Sequence, residues 1–284
     1  MEGREIYHVC NHSQKVLFRT ENDFEVFISR IAIYAHITRT EIIAYCILST
    51  HFHIIIRGNN ADRFIEYLSR CITRGYHSKY HKQIKMNISK RQLENPFSIM
   101  TAINYVLKNP VHHKLCLVPL NYPYSSIGCY FKNELSRKKY CEEENKTPYK
   151  RPSELINVSY RELFVKHKAP EHFLIAGDRM VIPETFVNSR YVELLYDNSK
   201  KFLYNMTKPL QEEIEMFGED RNAINANLNK IALCGRLTDT EVCKLIDGFS
   251  APHSFTELSE KELSELWLKL QKLGVDKYQF ERCT

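Results

Sequence analysis

The sequence predicts an α+β protein: an antiparallel sheet with helices on one or both faces, followed by a mainly helical C-terminal region. Two observations favour this class. In the first half of the chain, strand-type and helix-type patterns follow in the order strand, helix, strand, strand, helix, strand, helix. Beyond a charged segment at residues 132–152, the patterns are mainly helical. The first order is that of the ferredoxin-like sandwich, βαββαβ, with one added helix.

The elements of this sandwich are bounded by residues that start or stop regular structure. Asn22 or Thr20 is suited to cap the first helix, and Gly58 begins a break after the third strand. The last helix should end at Asn109–Pro110, because the residue before a proline disfavours the helical backbone. The predicted elements cover, in order, residues 5–11, 22–36, 41–48, 51–57, 61–82, 84–92 and 98–108.

The charged segment 132–152 is nearly free of aliphatic residues, and we interpret it as a linker. It divides a first domain, residues 1–131, from a mainly helical accessory domain, residues 153–284. Thr238 and Ser259 each begin a capping-box pattern in the second domain. The candidate helices there are residues 159–167, 184–204, 210–217, 221–232, 238–247 and 259–273.

Composition and length exclude several classes of protein. A hydrophobic fraction of 43% is that of a globular chain rather than a disordered one, and 284 residues suit one or two domains. No apolar run approaches the ~20 residues of a membrane span, and the N-terminus lacks a signal-type run, so we expect a cytoplasmic protein. The nine cysteines form no Cys-x-x-Cys pair, which argues against a disulfide framework or a cysteine zinc site and favours reduced, mostly buried thiols.

The net charge of +6 is unevenly distributed along the chain. Residues 211–284 have a net charge of −5, so the first 210 residues carry +11. Such an excess suits a polyanionic partner, although a charged segment is also typical of an ordinary solvated surface. Aromatic residues interleave with the basic ones, as in proteins that stack on single-stranded nucleic acid. The candidate nucleic-acid-binding residues are the basic residues of segment 61–92, namely Arg63, Arg70, Arg74, Lys79, Lys82, Lys85, Lys90 and Arg91.

The motif His51-Phe52-His53 lies inside a predicted strand. Side chains two apart on a strand point to the same face, so both imidazoles face one way and Phe52 faces the opposite layer. Two neighbouring imidazoles form a good partial site for a divalent ion. The motif is short, and two unrelated histidines are the alternative.

Tyr105 and Asn109 are four residues apart on the last predicted helix, so their side chains project from one face. Tyrosine can act as a covalent nucleophile, and an Asn carbonyl oxygen is a suitable ligand for Mg²⁺ or Mn²⁺. The alternatives are a buried aromatic for Tyr105 and a helix cap for Asn109. If Tyr105 is reactive, we expect its hydroxyl near solvent.

Together these motifs resemble those of the single-tyrosine HUH transposases, especially the REP-associated branch of the insertion-sequence transposases. Within residues 5–131, the Ala44–Ile56 segment is similar to the strand pair that ends in the family's His-hydrophobic-His motif. Segment Ile103–Val111 is similar to its Tyr-Ile-x-x-Asn-Pro-Val helix, and Tyr122–Ser126 to its Tyr-Pro-Trp-Ser-Ser box, with Tyr for Trp. Segments Tyr7–Val9 and Val16–Arg19 resemble its opening strand and turn.

The resemblance implies a role for each matching residue. His51, His53 and Asn109 would hold a divalent metal, Mg²⁺ or Mn²⁺, and Tyr105 would attack a DNA phosphodiester. The products would be a 5′-phosphotyrosine bond and a free 3′-OH, which can rejoin strands later, as in DNA transposition. The implied partner is single-stranded, hairpin-bearing DNA, with a homodimer as a possible assembly. Residues 1–131 would be the catalytic domain.

Two features depart from the family pattern. Residues 80–92 lack the family's Gly-x-Leu-Trp-Gln-x-x-Phe segment, and His112-His113 follow Pro110 in place of small or basic residues, as alternative ligands beyond the expected helix end. The main alternative function is a catalytically idle, domesticated protein that binds single-stranded or hairpin DNA. A structural zinc protein is the third, and the apparent lack of further Cys/His pairs at metal spacing counts against it.

Overall fold

The computed structural model describes residues 5–135, 149–207, 237–251 and 254–284. A four-stranded antiparallel sheet lies at the centre of its first half, in the strand order β2-β3-β1-β4. The strands are β1 (Ile6–His12), β2 (Glu41–Ile47), β3 (His51–Arg57) and β4 (Ile88–Gln92). The helices of this half are α1 (Glu21–Thr38), α2 (Ala61–Tyr80) and α3 (Pro96–His112). The predicted α+β class, with the ferredoxin-like order of elements, is confirmed.

Helices cover both faces of this sheet. Helices α1 and α2 pack together on the face of Phe52, whose ring centroid lies 5.4 Å from that of Phe27 on α1. Thr20, one of the two expected caps, begins α1 through a capping box with Asp23. Helix α3 packs on β2 and β3 from the other side. Since neighbouring residues of a strand alternate between faces, His51 and His53 lie beneath α3.

Helix α3 continues through Pro110, so the expectation that it ends at Asn109–Pro110 was wrong. Proline removes one backbone donor, but Asn109 and Pro110 are buried and the amide of His113 still donates to the carbonyl of Asn109 at 3.1 Å. Burial of this last turn therefore outweighs the local preference. The consequence is that His112 belongs to α3 and His113 caps it.

The second half of the chain adds mostly short helices. These are α4 (Lys132–Leu135), α5 (Asn157–Phe164), α6 (Ser189–Tyr196) and α7 (Ser199–Thr207), with a hairpin of β5 (Ile175–Ala176) and β6 (Met180–Val181). A single helix over 184–204 was expected, and it is two helices, because Asp197 has φ 71° between them. The expected helices 210–217 and 221–232 and residues 136–148 of the expected linker lie outside the described residues.

Residues 149–207 share one hydrophobic core with the sheet, whereas the end of the chain forms a second core. The second core is built from α8 (Asp239–Ser250), α9 (Glu260–Lys272) and α10 (Lys277–Cys283), and it includes Val16 and Tyr80 from the first half. The capping boxes at Thr238 and Ser259 are present as predicted. The domain boundaries themselves stay a prediction. Among the described helices, none has the length and apolar character that crossing a membrane requires.

Candidate functional site

The pairing of β1 with β3 brings two sets of polar side chains onto one face of the sheet. Cys10 lies opposite His53, and His12 lies opposite His51. Residues that pair across antiparallel strands share a face, and so do residues two apart on one strand. His8, Cys10 and His12 of β1 therefore face the same side as His51 and His53 of β3. This is the side covered by α3.

Helix α3 and its C-cap place further side chains above these. The ring centroid of Tyr105 lies 5.3 Å from that of His53 and 5.5 Å from that of His112. The ring of His113 lies 4.6 Å from that of His51. Six of the twelve histidines of the chain thus form one connected cluster with Tyr105, and three of them contact its ring. His112 and His113 join this cluster because α3 does not stop at Pro110.

A polar contact between the sheet and α3 joins His51 to Asn109. His51 Nε2 and Asn109 Oδ1 are 3.1 Å apart. Two ligands that stand at right angles around an ion at ~2.1 Å are separated by ~3.0 Å, so this spacing fits a small divalent ion. Thr50 Oγ1 lies 2.9 Å from His51 Nδ1 and can accept its proton when Nε2 binds metal. Two imidazoles and one amide oxygen could together hold a divalent metal ion, and the amide oxygen is the ligand among them that Mg²⁺ or Mn²⁺ prefers.

Several polar atoms of this cluster are buried without a hydrogen-bond partner in the described part of the chain. They are Asn109 Nδ2 and both ring nitrogens of His112. An unsatisfied buried polar group costs about 1–3 kcal/mol. Such groups are met by an ordered water, an ion or a ligand, or belong to a catalytic site, so a binding role for this cluster is compatible with them.

The buried imidazoles are held neutral. Burial lowers the pKa of His8 to about 4 and that of His51 to about 3, and it holds the pKa of His53 well below its ordinary value. Burial also lowers the pKa of His112 to about 3. A neutral imidazole has one nitrogen lone pair, so burial keeps these side chains in the protonation state that metal binding requires.

The lowered pKa values predict that the metal-free protein loses stability in mild acid. Above pH 6.5 the two states bind the same protons, but below it the unfolded chain protonates His8 and His51 while the folded protein does not until about pH 4. Each residue then lowers the free energy of unfolding by about 1.4 kcal/mol per pH unit. Denaturant titrations in chelator at pH 7 and pH 5 measure this loss, and His8→Gln should reduce it.

The matched control for this measurement is His77→Gln, since His77 is exposed on α2. That variant should keep the acid sensitivity of the wild type. A free energy of unfolding that is equal at pH 7 and pH 5 in the wild type would contradict buried, neutral imidazoles.

Tyr105 as a whole residue is only 4% exposed, and a position of its hydroxyl near solvent stays a prediction. The rings of His8, His53 and His112 surround it. Tyr105 lies on the side of α3 that faces the sheet, and the packing of α3 on the sheet cannot be predicted from the local sequence pattern. Any reaction of Tyr105 with a large substrate requires a movement of these side chains.

Cys10 was not singled out by the sequence. It forms a compact group with His8 and His53, in which one ligand atom of each residue lies within 4.8 Å of the others, so the group could hold a metal ion. The available signal was the spacing His8-Val9-Cys10, which repeats the two-residue spacing of His51 and His53 on a strand. A search for Cys-x-x-Cys pairs does not find it. The described cysteines are all free thiols.

The eight basic residues of segment 61–92 are all exposed, but they do not share one surface. Arg91 lies opposite His8 on the face of the cluster, and its charge contributes to lowering the pKa of His8. Lys90 points to the other face, where it pairs with Asp62 of α2. Arg63, Arg70, Arg74 and Lys79 lie on α2, and Lys82 and Lys85 follow it before β4. The structure therefore brings Arg91 to the cluster and places the α2 residues on the helix behind the sheet.

Comparisons with known proteins add one structural neighbour. No family model matches the chain, and no curated protein matches it. A solved structure of a REP-associated tyrosine transposase bound to a REP hairpin is similar with a TM-score of 0.36 and 16% identity. The similarity covers 49% of this chain and 84% of that one. A likeness this distant carries no argument about function, which has to rest on the geometry of the cluster.

Proposed function

We propose that the protein is a metal-dependent enzyme that cuts and rejoins single-stranded, hairpin-bearing DNA through a tyrosine nucleophile. One observation carries the proposal: His51 of β3 contacts Asn109 of α3, and Tyr105 of α3 packs against the neighbouring His53 of β3. His51 Nε2 lies 3.1 Å from Asn109 Oδ1, and the Tyr105 ring lies 5.3 Å from that of His53. This combination is the one that metal-assisted attack by a tyrosine requires.

Each residue has a separate task in the proposed reaction. His51, His53 and Asn109 would hold Mg²⁺ or Mn²⁺, and the bound ion would supply Lewis-acid activation of the scissile phosphate. The phenol oxygen of Tyr105 forms a bond to phosphorus and gives up its proton, and the bond to the 3′ oxygen breaks. The departing 3′ oxygen takes up a proton, which leaves a 5′-phosphotyrosine and a free 3′-OH. Attack by a 3′-OH on the phosphotyrosine reverses the step and rejoins strands.

The position of Arg91 supports an approach of DNA from the β4 side of the cluster. Ser89 and Arg91 of β4 face the same side as His8 and are exposed. A guanidinium there can contact a phosphate close to the buried Tyr105. DNA that approaches from this side would also lie next to the histidine rings that surround Tyr105, which have to move before Tyr105 can react.

The proposed approach predicts how salt affects DNA affinity. Each phosphate contact that is lost should reduce the slope of log affinity against log salt by about 0.7 for a single strand. We expect Arg91→Ala to reduce the slope and Arg74→Ala, the matched exposed arginine on α2, to leave it unchanged. Binding titrations with a hairpin-bearing strand at several salt concentrations measure both. The contrary result is a flatter slope when Arg70, Arg74 and Lys79 are replaced together by Ala, but not in Arg91→Ala. It would place the DNA along α2 instead.

Incubation of the wild-type protein with hairpin-bearing single strands and Mn²⁺ tests the proposed function directly. We expect a protein–DNA species that survives denaturing electrophoresis and a shortened strand with a free 3′-OH. Binding without any adduct, over a range of sequences and metals, would support the catalytically idle DNA-binding protein. A protein with that second function would still bind DNA through Arg91, but Tyr105 would not act as a nucleophile.

A further inference from the structure

A second group of metal-binding atoms lies beside the proposed catalytic ones. Strand β1 places His8 and Cys10 on one face, and β3 places His53 directly opposite Cys10. One ligand atom of each lies within 4.8 Å of the others, and His8 Nε2 is 3.0 Å from His53 Nδ1. The two histidines are buried, and Cys10 is half-buried at the edge of the group.

We propose that His8, Cys10 and His53 form a thiolate-containing site for a transition metal such as Zn²⁺. We further propose that occupation of this site withdraws His53 from the hard-metal site formed with His51 and Asn109. The thiolate site depends only on its own three residues, whereas the competition rests on the proposed function of the hard-metal site.

The donor set selects the kind of metal. A thiolate with two imidazoles suits Zn²⁺ or Co²⁺, whereas Mg²⁺ and Mn²⁺ prefer oxygen ligands. Three protein ligands leave a fourth position open, and Cys10 is partly accessible, so water can fill it. The hydroxyl of Ser89 is an alternative, since its oxygen lies 3.0 Å from Cys10 Sγ. The open position distinguishes this group from a closed structural zinc site.

Proton balance explains why the two sites exclude each other. Metal binding releases the thiol proton of Cys10 to solvent, because the thiolate is the ligand. It also requires lone pairs on both His8 Nε2 and His53 Nδ1, which share one proton in the metal-free protein. The one proton of neutral His53 then resides on Nε2. Nε2 is the nitrogen left for the hard-metal site, so that site loses a ligand.

The reverse state follows from the same proton. When His53 Nε2 binds a hard ion, the proton resides on Nδ1 and is donated to His8 Nε2 at 3.0 Å. His8 thus positions His53 in one state and is itself a ligand in the other. The single proton of neutral His53 therefore resides on a different nitrogen in each of the two metal-bound states, so the two sites cannot both use His53.

Cobalt titration of the chelator-treated full-length protein tests the thiolate site without any DNA. Co²⁺ bound to a thiolate gives a charge-transfer band in the near ultraviolet. We expect this band to reach its limit at one equivalent in the wild type and in Asn109→Ala. The matched control Cys116→Ser, another half-buried cysteine, should keep it. In Cys10→Ser the band should be absent, and a band that persists there, or none in the wild type, would overturn the site.

A second measurement needs no substitution. Stoichiometric Zn²⁺ should slow alkylation of Cys10 by iodoacetamide at least tenfold, as read by peptide mass spectrometry, and Mg²⁺ should not. Equal alkylation rates with and without Zn²⁺ would refute metal binding by Cys10. This experiment keeps the test decisive if Cys10→Ser folds poorly.

Competition between the sites is tested in the Mn²⁺ cleavage reaction. One equivalent of Zn²⁺ should reduce the cleavage rate of the wild type at least tenfold and leave Cys10→Ser unaffected. Equal inhibition of both proteins, or of neither, would overturn the competition even if the cobalt band is present. If the wild type never cleaves DNA, the proposed function fails, whereas the cobalt and alkylation results still decide the thiolate site.

Discussion

In the Tyr105→Phe variant we expect no covalent protein–DNA adduct and no strand cleavage with any divalent metal. The substitution removes only the phenol oxygen, and without it no phosphotyrosine ester can form. The ring that packs against His53 and His112 is retained. Loss of one hydroxyl should cost at most about 1.5 kcal/mol of stability. DNA affinity should therefore remain close to that of the wild type.

The measurement is the fraction of labelled strand that migrates with the protein on a denaturing gel. Tyr124→Phe is the matched control, because Tyr124 stacks on Phe24 of α1 at 4.1 Å, on the opposite layer of the fold. That variant should form the adduct at the wild-type rate. Continued cleavage by Tyr105→Phe would place the nucleophile on another tyrosine, and Tyr122 and Tyr124, just beyond α3, would be tested first.

The second large effect is expected from the proposed third metal ligand. Asn109→Ala removes the amide oxygen that lies 3.1 Å from His51 Nε2. Because loss of even an outer-shell partner weakens metal binding by about 10–100-fold, loss of a ligand should weaken Mn²⁺ binding by at least as much. Cleavage at low Mn²⁺ should fall in proportion and recover partly at high Mn²⁺. Tyr105→Phe should not recover, since metal cannot replace a nucleophile.

Asn109→Asp is the matched control for this ligand. It keeps an oxygen at the same position and adds a negative charge, so it should bind Mn²⁺ at least as tightly as the wild type. Isothermal titration of Mn²⁺ into the three proteins measures the affinities. If Asn109→Ala binds Mn²⁺ as the wild type does, Asn109 is a helix residue without a role in metal binding, and the proposed site loses its third ligand.

Periodicity in the sequence was enough to predict which side chains, among residues close together in the chain, lie on one face of a strand or helix. Alternation along β3 places His51 and His53 on one face, and four-residue spacing on α3 places Tyr105 and Asn109 on one face. The order of strands and helices along the chain and the caps at Thr20, Thr238 and Ser259 were predictable for the same reason. Each depends on residues within a few positions of one another.

Which of these faces meet depends on contacts between segments that are distant in the chain. His8 and Cys10 join His53 through a strand pairing between residues more than forty positions apart, and no local period reports such a pairing. His112 joins Tyr105 because burial of the last turn of α3 overrides the proline signal. The basic helix α2 lies behind the sheet, and Arg91 beside His8, because α2 packs on α1. Strand register and packing between distant segments therefore set the composition of the site, whereas local periodicity set only the orientation of its parts.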